Sequence, residues 1–275
     1  MNMLQKELLN MLEVYIDVCE NLGLTYYLAN GSVLGAEKYG GFIPWDDDID
    51  VAMPREDYET FLLKAKEYLP THLFLQNYKT DAKFPQIYSK IRNSATTFIE
   101  KEVQHLPINH GIYIDIFPLD NYPEGKIRRL ILKCKWKILS WMQFCGFKEN
   151  NRLHHRLFRL LGCHNRTHKT ISHLEKIAKN FENSNCFCDY GDRQKKGCLP
   201  KEIYGKGKKA KFEHIQVNLP EKTNEYLKYK YGKWEKDLPE NVQKSHHGVA
   251  KLDLQTPYTE YLDNKDMITA LADNI

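Results

Sequence analysis

The stretch FIPWDDDIDVAMPR, residues 42–55, sets four aspartates (Asp46, Asp47, Asp48 and Asp50) inside an otherwise apolar run. Its DIDVAM segment (48–53) alternates as a β-strand does, and Pro54 opens a helix with Tyr58, Phe61, Leu62, Ala65 and Leu69 inward. In an extended chain Asp46, Asp48 and Asp50 project to one side, and Asp47, Ile49 and Val51 to the other. Two or three carboxylates therefore converge on one patch. Close like charges raise one another's pKa and are costly to bury uncompensated, so a neutralising cation is the simplest way to keep them ionised. Hard oxygen donors without neighbouring thiols or imidazoles favour Mg²⁺ or Mn²⁺. A solvated acidic turn is the competing reading, and the flanking Phe42, Ile43, Trp45, Ile49, Val51 and Met53 argue against it.

Upstream, Leu4, Leu8, Met11/Leu12, Tyr15, Cys19 and Leu22 recur at helical spacing and predict a helix over 3–22 that ends at Gly23. LTYYLA (24–29) reads as a strand, and NGSVLGAEK as a glycine turn into a helix capped by Ser32. Gly31 and Ser32 are candidate phosphate contacts, because glycine lets the backbone approach closely and a helix start offers free N–H groups. Downstream, strands are expected at 72–78, 85–92, 95–100 and 111–117. The last contains Asp115 within GIYIDIFPL, where a charge needs a partner; a third metal ligand fits best, with a paired core carboxylate or a strand-end cap as alternatives. Lys90 and Arg92 share a strand face by the period-two rule, placed to hold substrate phosphates or to form a solvated edge-strand pair.

From residue 126 the pattern turns helical, with Ile127, Leu130/Ile131, Cys134, Ile138, Trp141/Met142 and Cys145 on one face, and helical signals recur at 152–161 and 170–181. FEHIQVNLP (212–220) reads as a strand and TNEYLKYKYG (223–232) as a helix. The net charge of +4 is segregated: residues 126–179 hold fourteen Lys/Arg against Glu149 and Glu175, a local +12 that leaves −8 for the rest. That segment reads as a basic helical lobe. It is suited to peripheral contact with an anionic membrane, to capture of an anionic saccharide, or to solvent exposure.

The composition is that of an ordinary globular chain, so disorder is not the default, and the chain has no apolar run of membrane-spanning length. The N-terminus carries Lys6, Glu7, Glu13 and Asp17 rather than a signal-peptide pattern, so a cytoplasmic location is expected, with peripheral attachment at the inner membrane face as its extension. Seven scattered cysteines predict reduced thiols. A zinc site at Cys186, Cys188 and Cys198, with Cys163 and His164, matches no common structural spacing. The expected fold is α+β, a mixed β-sheet flanked by helices with a basic helical insertion. Its parts are a core with the GS and DDDID motifs (1–125), the basic lobe (126–182) and a C-terminal part that completes the core (183–275).

The block GSVLGAEKYGGFIPWDDDIDVAMPREDYETF, followed by KIRNSATTFIE and GIYIDIFPLD and at the end by FEHIQVNLP, EYLKYKYGKW and SHHG, resembles the LicD family. These are relatives of fukutin and the fukutin-related protein within the nucleotidyltransferase-fold superfamily. The resemblance implies a nucleotidyltransferase-like fold in which Gly31 and Ser32 hold donor phosphates, Asp48 and Asp50 bind Mg²⁺, Asp115 takes the third acidic position and Asp46 assists. It adds Lys38 as a phosphate contact, where the family motif more often carries arginine, and His246 and His247 as contacts to donor or acceptor.

The implied activity is transfer of a phosphoryl-alcohol group onto a sugar of a cell-surface glycan such as lipopolysaccharide, capsule or teichoic acid. Phosphocholine from CDP-choline is the leading expectation; ribitol, glycerol or sugar phosphate is the alternative. A carboxylate such as Asp115 or Asp46 would accept the hydroxyl proton, and choline recognition would call for aromatic rings, for which Trp45, Tyr88, Tyr113, Trp234 and Tyr258 are available. The expected partners are thus a CDP-activated donor and a free or lipid-linked glycan, with no nucleic acid. The second function class is a nucleotidyltransferase acting on nucleic acid or a small molecule.

Overall fold

The computed structural model describes residues 1–145, 153–181, 184–190, 198–236, 243–245 and 247–262. Helix α1 (Met3–Leu22) forms as its spacing predicts. Asn2 and Gln5 close a capping box at its start, and Gly23 ends it at φ 65°. Its buried face, including Leu8, Leu12, Tyr15 and Cys19, packs against the long strand β6 (Ile112–Asn121). Each fully buried leucine there stabilises the fold by about 1.5–3 kcal/mol.

The main sheet is mixed, and β6 runs through its middle. On one edge β6 pairs in parallel with β2 (Asp50–Pro54), which pairs antiparallel with the short β1 (Tyr27–Leu28). On the other edge β6 pairs antiparallel first with β4 (Ser89–Asn93), which carries β3 (Leu73–Gln76), and then with β7 (Cys186–Asp189). A strand of ten residues can hold two successive partners along one edge because each needs only three to five ladder positions. Between β1 and β2 lies α2 (Asn30–Tyr39), and α3 (Arg55–Lys64) follows β2 with Tyr58 and Phe61 buried.

Several boundaries differ from expectation. Helix α2 begins two residues before Ser32 with no side-chain cap, and β2 begins at Asp50 rather than at 48. The expected strand at 212–220 is the second arm of a hairpin, β9 (Lys208–Phe212) and β10 (Ile215–Leu219). Its first arm, KKAKF, was concealed by exposed lysines that leave little alternation to read. A small second pairing joins β5 (Thr97–Glu100) to β11 (Val249–Asp253), a contact across about 150 positions of sequence that local pattern does not encode.

The stretch after β6 is helical, as its pattern predicts: α4 (Lys126–Phe144), α5 (Leu153–Leu160) and α6 (Thr167–Lys179). The chain then returns to the main sheet through β7 and β8 (Cys198–Pro200), followed by the short α7 (Lys201–Tyr204). Cys188 and Cys198 face each other in register and are joined as a disulfide, where reduced thiols were expected, because the strand pairing brings two separated cysteines to adjacent positions.

His110, just before β6, is fully buried, with Nε2 3.0 Å from the Leu106 carbonyl oxygen. Burial, reinforced by Arg92, holds its pKa down to about 4 from an ordinary 6.5. Between those values the unfolded chain binds the extra proton and the folded chain does not, so stability falls as pH drops from 6.5 to about 4. The gap corresponds to about 3 kcal/mol. Denaturant titrations at the two ends of that window should show this loss in the wild type and a shallower one in His110→Gln; equal slopes would reject the assignment.

Candidate active site

The extended loop of residues 41–49 leads into β2. Although it is not a strand, it keeps part of the strand alternation: Asp46, Asp48 and Asp50 line one cleft and Ile49 is buried away from it, while the covered Asp47 carboxylate stays within 4.8 Å of that of Asp48. Gln5 of α1 tethers this loop, donating from Nε2 to the carbonyls of Ile43 (3.3 Å) and Asp46 (3.1 Å). Ser32 tethers it from below, its Oγ accepting the Asp50 N–H at 2.9 Å. Gly31 lets the backbone pass close to this loop: a Cβ there would stand 3.1 Å from the Asp46 carboxylate and displace it by a few tenths of an ångström.

Strand register then builds the floor. Asp50 on β2 lies opposite Asp115 on β6, and Asp115 lies opposite Lys90 on β4. Residues in register share a sheet face, so a row of acid, acid and base crosses three strands. Asp48, Asp50 and Asp115 present carboxylate oxygens all within 4.8 Å of one another. Burial raises the pKa of all three; the neighbouring carboxylates add to it, most strongly at Asp50. At Asp46 burial, and then Asp48, push the value up to about 8. Lys90, 3.0 Å from Asp115, and a hydrogen bond from Asn30 to Asp50 offset only part of this repulsion. Three hard carboxylates on two adjacent strands and the preceding loop are a donor set suited to a divalent cation of the Mg²⁺ or Mn²⁺ kind. Among the described residues no cysteine belongs to a comparable group.

The predicted basic residues divide. Lys38 is on the cleft wall, its Nζ donating to the Glu235 carbonyl at 3.2 Å. Lys90 and Arg92 lie behind the carboxylates instead. Strand β4 is internal to the sheet, between β3 and β6, and the face that carries both side chains is covered by Tyr113, Glu100 and Gln76: Lys90 is 3% exposed and Arg92 not at all. Arg92 donates to Gln76 Oε1 at 2.6 Å and to the Gly111 carbonyl at 2.8 Å, and its Nη2 lies 3.4 Å from Glu100. Both cations rest on the Tyr113 ring, 3.2 and 4.5 Å from its centroid. Burial would raise the Glu100 pKa, but Lys90 and Arg92 outweigh it and hold the carboxyl at about 2.

His247 reaches the site from the far end of the chain, its Nδ1 3.0 Å from Asp47 and its Nε2 3.7 Å from Asp48. Ser245 also donates to Asp47. Burial would lower the His247 pKa, but the bond to Asp47 and the charge of Asp48 raise it to about 9. His246 lies outside the described residues.

The cleft above this floor has a volume of about 630 Å³. Helix α8 (Thr223–Tyr231) and the residues after it supply a wall of Lys230, Lys233, Trp234 and Lys236, of which sequence reasoning named Trp234 and missed the three lysines. Lys230 is 8% exposed and donates to Asn30 Oδ1 at 2.9 Å. Its only sequence signal was its place in EYLKYKYGKW, where a lysine on a Lys-rich helix looks like an ordinary solvated residue. Of the aromatics available, Trp45, Tyr88 and Trp234 face the cleft; Tyr113 is buried beneath the cations, and Tyr258 lies beside His110.

Residues 23–146 match the family described as LicD/FKTN/FKRP, nucleotidyltransferase domain. Over 259 residues, 87% of this chain and 92% of its counterpart, the sequence is 29% identical to the lipopolysaccharide cholinephosphotransferase LicD of Haemophilus influenzae. A shorter stretch of 42 residues is 45% identical to the ribitol 5-phosphate transferase FKRP of human and of mouse, covering 15% of this chain and 8% of those proteins.

Proposed function

We propose, from the premise that this chain belongs to the LicD family and is a phosphotransferase, that it moves phosphocholine from CDP-choline onto a sugar hydroxyl of a glycan. The observation that carries this reading is the convergence of Asp48, Asp50 and Asp115 at the floor of a cleft walled by lysines and aromatic rings. On this reading the fold is nucleotidyltransferase-like, and Asp48, Asp50 and Asp115 would hold Mg²⁺ or Mn²⁺. Bound there, the ion would neutralise charge on the phosphoryl oxygens.

The chain's own residues do the rest. Lys38 and Lys230 draw the donor diphosphate to the wall, and Gly31, at the start of α2, leaves room for its close approach. Asp46 lines the cleft without belonging to the triad, which suits it to accept the proton of the attacking hydroxyl. The hydroxyl oxygen bonds to the phosphorus that carries the alcohol, the bond from that phosphorus to the bridging oxygen breaks, and CMP leaves. Trp45, Tyr88 and Trp234 offer π faces to a quaternary ammonium. The ribitol phosphate reading draws on the 42-residue likeness to FKRP, and the same cleft would serve it.

A donor screen tests this directly. Purified protein with Mg²⁺, an extracted glycan acceptor and CDP-choline should release CMP, and chelation with EDTA should abolish the release. Turnover of CDP-ribitol or CDP-glycerol instead would move the assignment to that alcohol. Pyrophosphate release from nucleoside triphosphates with every CDP donor inert would overturn phosphoryl-alcohol transfer in favour of nucleotidyl transfer.

A further inference from the structure

We propose that the outward faces of α4 and α5 form a docking surface for an anionic lipid bilayer, lying in its interface. In α4 the face turned to the protein carries Leu132, Trp136, Leu139 and Gln143, spaced i, i+4, i+7 and i+11. The opposite face carries Ile127, Ile131, Cys134 and Ile138 at the same spacing, with Leu130 beside them, and all five are exposed. At 3.6 residues per turn these stripes lie on nearly opposite sides of the helix. The apolar stripe that the sequence marks most strongly is thus the one the fold leaves uncovered.

Helix α5 repeats the arrangement. Leu153, Leu157 and Leu160, at i, i+4 and i+7, are 82%, 54% and 86% exposed. It is tied to α4 through Arg159, whose Nε donates to the Cys145 carbonyl at 3.1 Å. Of the sixteen exposed large apolar side chains among the described residues, eight fall between Ile127 and Leu161. Half of the exposed apolar side chains thus gather on two helices packed against each other and the turn after them, a concentration beyond the single scattered residues every surface shows.

Charge selects the occupant. By helical geometry Lys126, Lys133 and Lys137 line one edge of the α4 stripe, and Arg128 and Lys135 line the other. All five are exposed, and neither helix contains an acidic residue. Aliphatics flanked on both sides by long cations suit a bilayer surface: the side chains enter the acyl boundary while the ammonium and guanidinium groups stay among acidic headgroups. A second copy of the chain would present the same sign of charge to the same face. Among the described residues no helix is long and apolar enough to cross a membrane, so the contact is in-plane.

The test is flotation of the full chain with vesicles of phosphatidylcholine alone and of phosphatidylcholine with about one-third phosphatidylglycerol. The wild type should float at least about tenfold more with the anionic vesicles, and less at high salt. The triple variant Ile131→Gln, Leu157→Gln, Leu160→Gln changes only exposed side chains. It should lose about tenfold or more of that binding with an unchanged thermal melt. Absence of wild-type flotation overturns the proposal. So does flotation that the triple variant retains, since diffuse charge attraction would then suffice. A dimer that the same substitutions dissolve, without vesicle binding, would assign the face to a second copy and overturn it equally.

Discussion

Asp50→Asn is expected to lower phosphotransfer by about 10²–10³-fold while leaving the protein folded. Asp50 sits in register with Asp115 at the point where three carboxylates meet. The amide keeps the shape and hydrogen-bonding capacity but removes one hard anionic donor and one charge. The stability readout separates this from simple unfolding. Burial and the neighbouring acids raise the Asp50 pKa, so the ionised form is disfavoured in the folded state and costs stability at neutral pH. In metal-free buffer the variant should therefore melt at or above the wild-type temperature, by about 2–4 °C for each kcal/mol relieved. Added Mg²⁺ should then raise the wild-type melting temperature and barely move that of the variant, because only the wild type gains binding energy in the native state. A variant that turned over like the wild type, or that gained equally from Mg²⁺, would remove the metal assignment.

The second large effect is one of stability. Arg92→Met should cost about 3–5 kcal/mol, because it deletes one partner of a buried ionic network and leaves the others in place. Gln76, the Gly111 carbonyl and Glu100 all meet the guanidinium, and Glu100 would lose one of its two contacting cations and keep Lys90, with the charge of His247 farther off. The double variant Arg92→Met, Glu100→Gln should recover part of the loss, since it removes the stranded carboxylate as well. Denaturant midpoints measure both. If Arg92→Met left stability unchanged and instead raised KM for the donor, Arg92 would be a phosphate ligand after all.

That contrast between Arg92 and Asp50 shows where sequence reading ends. Period-two spacing placed Lys90 and Arg92 correctly on one face, but what packs on that face, here Tyr113, Gln76 and Glu100, decides whether it meets substrate or core. The same holds in α4, where apolar spacing identified a helix and a stripe, and the packing of α6, Tyr122 and Tyr190 decided which side is covered. The strand period makes Asp47 only the aspartate that points away from its neighbours; its role as anchor for Ser245 and His247 depends on contacts across about 200 positions.

By itself the sequence determined the longer helices, most of the strands, the convergence of Asp46, Asp48 and Asp50, and the match of the core motifs to a known family. These follow from the fixed periods of the backbone and from which residue types tolerate them, properties that neighbours along the chain share. Only the tertiary structure decided that Asp115 and Lys90 complete the row at Asp50, that Lys230 and Trp234 wall the cleft, and that two basic helices keep an apolar stripe facing outward. Burial and charge pairing are properties of surfaces brought together from distant parts of the chain, and no local period encodes which surface meets which.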